Sequence, residues 1–123
     1  MINVKDQVYD AIKSMCSNIS DIYPSDWATL PAIQYIEEDN IVHEFTDNKE
    51  QSALIRYRFD IWHDANTTEY AVELDERVSA LGLKRIQSID LDDTNNFKHK
   101  QMRYEGIIDV DTLHVYHKLE RND

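Results

Sequence analysis

His63 and Asp64 stand where an alternating apolar segment gives way to a helical pattern, and the end of a strand before a helix is a common place for active-site residues. A working dyad also needs a nucleophile and an oxyanion site, and the sequence offers neither. The pair therefore reads as a structural corner, with Asp64 and Asn66 as turn and cap residues. His114 and His117 are three apart, which on a strand places them on opposite faces, so they read as solvated histidines instead of metal ligands. Asp90, Asp92 and Asp93 begin like a calcium loop, but Asn95 stands where the loop needs Gly and Gln101 where it needs a bidentate Glu. Glu37, Glu38 and Asp39 end a strand; neighbouring carboxylates there point to alternate faces, so they read as solvent-facing and not as a catalytic pair. Cys16, the single cysteine, falls among apolar helical positions with no cationic neighbour to stabilise a thiolate, and reads as a small buried thiol. No catalytic, cofactor-binding or metal-ligating residue emerges, and a non-enzyme without a cofactor is expected.

Composition narrows the classes further. At 123 residues, 41% of them hydrophobic, the chain suits one domain with one core, expected to span 1–123. Two glycines and two prolines leave no Gly-rich loop to cradle a phosphate. With 24 acidic and 13 basic residues the net charge is −11, which opposes tight nucleic-acid binding and suits a surface that lets DNA pass without holding it. No segment approaches the ~20 apolar residues of a membrane span, so a soluble, cytoplasmic product is expected. The seven tyrosines and two tryptophans are an excess suited to interfaces, although core packing is the first explanation for Trp27, Tyr35, Tyr57 and Tyr104.

The elements follow from periodicity. Asn3 can cap a helix, with Asp6 three residues on, and Val4, Val8, Ala11, Ile12, Met15 and Ile19 fall on one stripe, which predicts a helix ending near Asn18 to Asp21. Ile22 to Leu30 is an irregular connection in which Trp27 and Leu30 fold back over the core. Pro31 opens a strand with Ile33 and Tyr35 on one face. Residues 40–52 either form a long hairpin or stay mobile in the free protein. Ile55, Tyr57, Phe59 and Ile61 then alternate with Arg56, Arg58 and Asp60, the signature of a strand with one face on the core and one face wet. Asn66 and Glu69 open a second helix carrying Ala71, Leu74, Val78 and Leu81, and Gly82 stops it. Leu83 to Asp90 is a shorter strand whose Ile86 and Ile89 break alternation. Gln101 to Val110 is a further strand with Met102, Tyr104, Ile108 and Val110 on one face, resuming after Asp111 through Leu113 and Val115, and 118–123 is a polar tail. The fold class is α+β, with a single antiparallel-rich sheet of about four strands and two helices on one face.

Taken in order, the helix ending in IYPSDW, the LPAIQYIEED strand, the polar hairpin, the IRYRFDIWHDANTTEYAVELDERVSALG unit and the closing MRYEGIIDV strand resemble the tail terminator family of long-tailed bacteriophages, also called tail completion or minor tail proteins. The likeness covers nearly the whole chain and lies in element order, not in a strict motif. It implies a structural protein that forms a ring, a hexamer, on the finished tail tube, ends tube polymerisation and presents the head-attachment interface. Its implied partners are further copies of itself, the tail tube protein and a head-completion or connector protein. Its implied location is the bacterial host cytoplasm during assembly, and then the head-proximal end of the virion tail. The candidate interface residues are Phe45, Asp47, Asn48, Lys49, Glu50 and Gln51 on the hairpin, and Arg56, Arg58 and Asp60 on the wet face of the next strand. Two alternatives remain open, another head-tail connector or neck protein, or an acidic inhibitor or regulatory module acting as a nucleic-acid mimic.

Overall fold

A computed structural model describes residues 1–93 and 96–110, together with the backbone of Val115 and Tyr116. Its centre is β3 (Lys49–His63). Ile55, Tyr57, Phe59 and Ile61 are each fully buried, so the alternation read in the sequence corresponds to a real core face. On one side β3 pairs antiparallel with β2 (Ala32–Thr46), and on the other with β5 (Lys98–Asp109). β4 (Lys84–Leu91) pairs antiparallel with the outer side of β5, and β6 (Val115–Tyr116) pairs with β5 beyond it. β1 (Asn18–Ser20) adds a short parallel edge beside β2. The strand order is therefore β1-β2-β3-β5-β4, with β6 beside β5. The four long strands match the expected sheet; β1 and β6 extend it to six.

Two helices, α1 (Lys5–Ile12) and α2 (Thr68–Ser79), lie on the same face. Val4, Val8 and Ile12 from the α1 region and Ala71, Leu74 and Val78 from α2 join Ile33, Tyr35, Phe59, Met102 and Tyr104 in one buried cluster. Asn3 and Asn66, read as helix caps, each stand one residue before the N-cap, Val4 and Thr67, neither of which makes a side-chain cap bond; each Asn instead closes a turn onto the first helical residue, Asn3 Oδ1 accepting from Lys5 N at 3.0 Å and Asn66 Oδ1 from Thr68 N at 2.8 Å. Gly82, with φ 98°, turns the chain out of α2 in the left-handed region that favours glycine.

The helices also hold each other. Arg77 of α2 donates through Nη1 to Ala11 O at 3.1 Å and to Ser14 Oγ at 2.8 Å, while its Nη2 stands 2.7 Å from Glu73. A guanidinium thus occupies the C-terminal end of α1, which has no basic residue in its own last turn. From the sheet, Tyr104 Oη donates to Asp75 Oδ1 at 2.6 Å, tying α2 to β5, and Arg85 Nη1 meets the other oxygen at 2.9 Å.

Two local expectations are corrected, and the broken alternation expected at Ile86 finds its cause. The first helix ends at Ile12 instead of running to Asn18–Asp21: Met15 N turns onto Ile12 O, and from Asn18, whose Nδ2 donates to Asp26 O and Thr29 O, the chain becomes β1. Ile19, in phase with the helical stripe, belongs to that strand. The final long strand starts at Lys98, three residues before Gln101. In β4 the alternation fails because the register shifts between Arg85 and Gln87, leaving Ile86 at a bulge and 41% exposed. Leu113, His114, His117 and residues 118–123 lie outside the described residues, as do Thr94 and Asn95 of the acidic loop.

Candidate functional site

The alternation of β3 also builds the face turned away from the helices. Arg56, Arg58, Asp60 and Trp62 point there, and register puts Glu105, Arg103, Gln101 and His99 of β5 beside them in that order. From β2, Gln34 and Ile36 stand opposite Asp60 and Arg58, with Glu38 at a bulge. Period-two polar residues on three strands thus meet as a layer of side chains.

That layer is an ion-pair network, half-buried at its outer members and closed to solvent at its centre. Asp60 is 3% exposed. Its Oδ2 accepts from Gln101 Nε2 at 3.1 Å and lies 2.6 Å from His99 Nε2, and its Oδ1 accepts from Arg58 Nε at 2.8 Å. His99 Nδ1 stands 3.2 Å from Asp93 Oδ1, so the imidazole is held between two carboxylates and stacks on Trp62 with ring centres 4.5 Å apart. Burial opposes charge on both partners. The hydrogen bonds outweigh it, holding the Asp60 carboxyl below the usual range and raising His99 above the ordinary imidazole value. Higher on the face, Arg103 donates to both oxygens of Glu38, Nε at 2.9 Å and Nη2 at 3.1 Å, and Arg58 Nη1 lies 3.6 Å from the same carboxylate. Arg56 Nη2 pairs with Glu105 at 3.3 Å.

Two expectations change here. Asp60, read as lying on a wet face, is buried, and it, Arg58 and Arg56 each already have a partner on a neighbouring strand. Glu38 is likewise not solvent-facing, since the bulge turns it onto the guanidinium groups of Arg103 and Arg58. The network was foreshadowed by R-x-R-x-D on one strand and Q-x-R-x-E on another, but only register shows which charges meet. His99 and Asp93 were missed as members, as was the aromatic cluster closing the strand ends, in which Trp27 packs edge-on to Tyr23 and Trp62 and stacks on Phe97 at 5.2 Å.

The remaining candidates gather elsewhere, on the β2–β3 hairpin. Pairing continues through Val42↔Ala53, Glu44↔Ser52 and Phe45↔Glu50 to Thr46↔Lys49, closed by Asp47 and Asn48 at φ 54° and 60°. Positive φ at both central residues is the two-residue hairpin turn whose twist matches the strands, and Asp and Asn tolerate it. Of the two readings left open for residues 40–52, the structure has the long hairpin. Asp47, Asn48 and Lys49 are exposed, Gln51 Nε2 donates to Thr46 O at 3.2 Å, and Glu50 lies 3.4 Å from the N-terminal ammonium. Ile41, Val42 and Phe45 are 50%, 48% and 60% exposed. Apolar side chains so displayed on an outer strand and its hairpin end are the features of an interaction surface.

No family model matches this chain, and no curated protein matches it in sequence. Its function must be argued from the geometry. His63 and Asp64 do form a contact, Nδ1 to Oδ1 at 2.9 Å, and His63 Nδ1 also receives Ala65 N at 3.2 Å, which is the geometry of a corner. An open groove lies at the strand ends, lined by Asn66, Thr67, Asp92, Asp93, Phe97 and His99 among others, but His63 and Asp64 do not line it. Among the described residues no three His, Cys, Asp or Glu side chains converge to hold a metal, and no helix is long and apolar enough to cross a membrane.

Proposed function

We propose that this chain is a structural assembly subunit of a long-tailed bacteriophage, a tail terminator that caps the tail tube as a hexameric ring, ends tube growth and presents the surface for head attachment. One observation carries the reading. The β2–β3 hairpin displays Ile41 and Val42 on the outer strand of the sheet and Phe45 beyond the last β3–β5 pair, Ser52↔Asp109, a set of solvent-exposed apolar side chains that folding does not require and that a neighbouring subunit or tube would bury. Its paired backbone and two-residue turn make a stiff arm, so little ordering entropy opposes docking. The polar face contributes differently. Its charges are matched within the chain, so it stiffens the platform instead of recruiting a ligand.

The net charge of −11 is consistent with a ring through which DNA travels without adhering. The test is direct: growing tail tubes are mixed with the protein and with a Phe45→Ser variant, and tube length and end caps are scored by electron microscopy. Uniform tubes bearing a cap at one end support the reading. Tubes that grow unchanged in the presence of wild-type protein reject it.

A further inference from the structure

Among the described residues the sheet has two long edges without a partner strand, and they match each other. On the β2 side, β1 covers only Ala32, Ile33 and Gln34, and among the described residues nothing pairs with the outer side of β2 above them. On the other side, among the described residues, the outer edges of β4 and β6 carry no strand. Following the register across the sheet gives the level of each residue. Lys84 stands level with Glu105, Arg56 and Asp39; Arg85 with Tyr104, Tyr57 and Glu37; Gln87 with Arg103, Arg58 and Ile36. β6 continues that edge upward, with Tyr116 and Val115 at the levels of the exposed Ile41 and Val42.

We propose that a second copy of this chain docks edge to edge, its β2 adding antiparallel to β4 and β6 so that Lys84 of one copy meets Asp39 of the next. The inference rests on the ring reading above and deepens it by naming the contact. Direction supports it. β2 runs opposite to β3, β3 to β5, and β5 to β4, so a copy related by rotation alone, with helices on the same side, brings its β2 antiparallel to β4. Charge supports it as well, since the free stretch of β2 carries the exposed Asp39, with Glu37 and Glu44, while β4 opens with the exposed Lys84; Arg85 beside it already pairs with Asp75 in its own chain. The two surfaces differ, so the contact is heterologous and propagates until a ring closes. β1 closes the β2 edge below Tyr35, which confines the β4 half of the contact to Lys84–Ser88.

The test uses the full chain with Cys16→Ser, in which Asp39→Cys and Lys84→Cys are introduced singly and together. Antiparallel neighbours bring Cα atoms to about 4.5–5.5 Å, within disulfide reach. Under oxidation at high protein concentration the double variant should give a ladder of cross-linked species beyond the dimer. An equimolar mixture of the single variants should give mixed dimers, and each single variant alone essentially none. A second pair, Asp39→Lys and Lys84→Asp, should each weaken self-association severalfold by sedimentation, and the combined variant should restore it. Homodimers from Lys84→Cys alone, or no ladder from the double variant, would overturn the proposal. A ladder from protein that never caps tubes would keep the edge contact and remove the tail reading; capped tubes without a ladder would do the reverse.

Discussion

Asp60 and His99, on neighbouring strands, approach to 2.6 Å between Oδ2 and Nε2 with both side chains almost removed from solvent. This contact is the keystone of the helix-free face, since it links Arg58 and Gln101 on one side to Asp93 and the 92–97 connection on the other. Asp60→Ala should therefore be costly, by about 3 kcal/mol or more, because it leaves a buried imidazolium and a guanidinium without their partner. Chemical denaturation measures this. A loss under about 0.5 kcal/mol would mean that water replaces the carboxylate freely.

The same pair sets a pH dependence. His99 has a raised folded-state value, so its contribution is complete below the ordinary imidazole pKa of 6.5 and is lost as pH climbs through the folded value above it. Asp60 has a lowered value, so its contribution is complete above 3.8 and is lost as pH falls through the folded value below that. Stability should hence decline on the alkaline side of 6.5 in the wild type, and this decline should flatten in His99→Gln. Thermal melts across that window, with identical slopes for both proteins, would show that His99 does not titrate as its partners imply.

Phe59→Ala should destabilise the fold by about 3–5 kcal/mol. Phe59 is fully buried at the centre of β3, stacked on Tyr57 at 6.2 Å and edge-on to Tyr104 at 5.6 Å between ring centres. Urea unfolding of this variant beside Asp60→Ala compares the two faces of one strand. The apolar and the charged substitution should both be severe, whereas a negligible effect of Phe59→Ala would misplace the core.

At the hairpin, Phe45→Ser should leave the melting temperature nearly unchanged, since the side chain is 60% exposed and its removal from the free protein uncovers little. Capping of tubes should fall. Retained capping with retained stability would take Phe45 out of the interface, and a large drop in melting temperature would show that the hairpin supports the core.

How much of this was legible in the sequence depended on whether the physics was local. Ile55 to Ile61 declared a strand because burial alternates with the pleat, and Asn66 with Gly82 marked the approximate limits of α2 because turns need particular residue types, although the N-cap itself is Thr67. α1 reads too long because Met15 and Ile19 stay in helical phase, while the pairing of Ile19 with Ile33 and the Asn18 bonds to Asp26 and Thr29, which place that stretch in β1, are made with residues further along the chain. The charged face misled for a related reason. Arg56, Arg58 and Asp60 alternate as solvated residues do, and only the register against β5 reveals that Gln101, Arg103 and Glu105 meet them. His99 gave no signal at all, because its partners lie 39 and 6 residues away in the chain.

The central claim is that this chain closes the end of a tail tube, and electron microscopy of cognate tail tubes incubated with the wild-type protein tests it most directly. The account predicts one ring-shaped cap per tube, always at the same end, and an arrest of further elongation. Tubes whose ends stay bare and keep growing at saturating protein would contradict it.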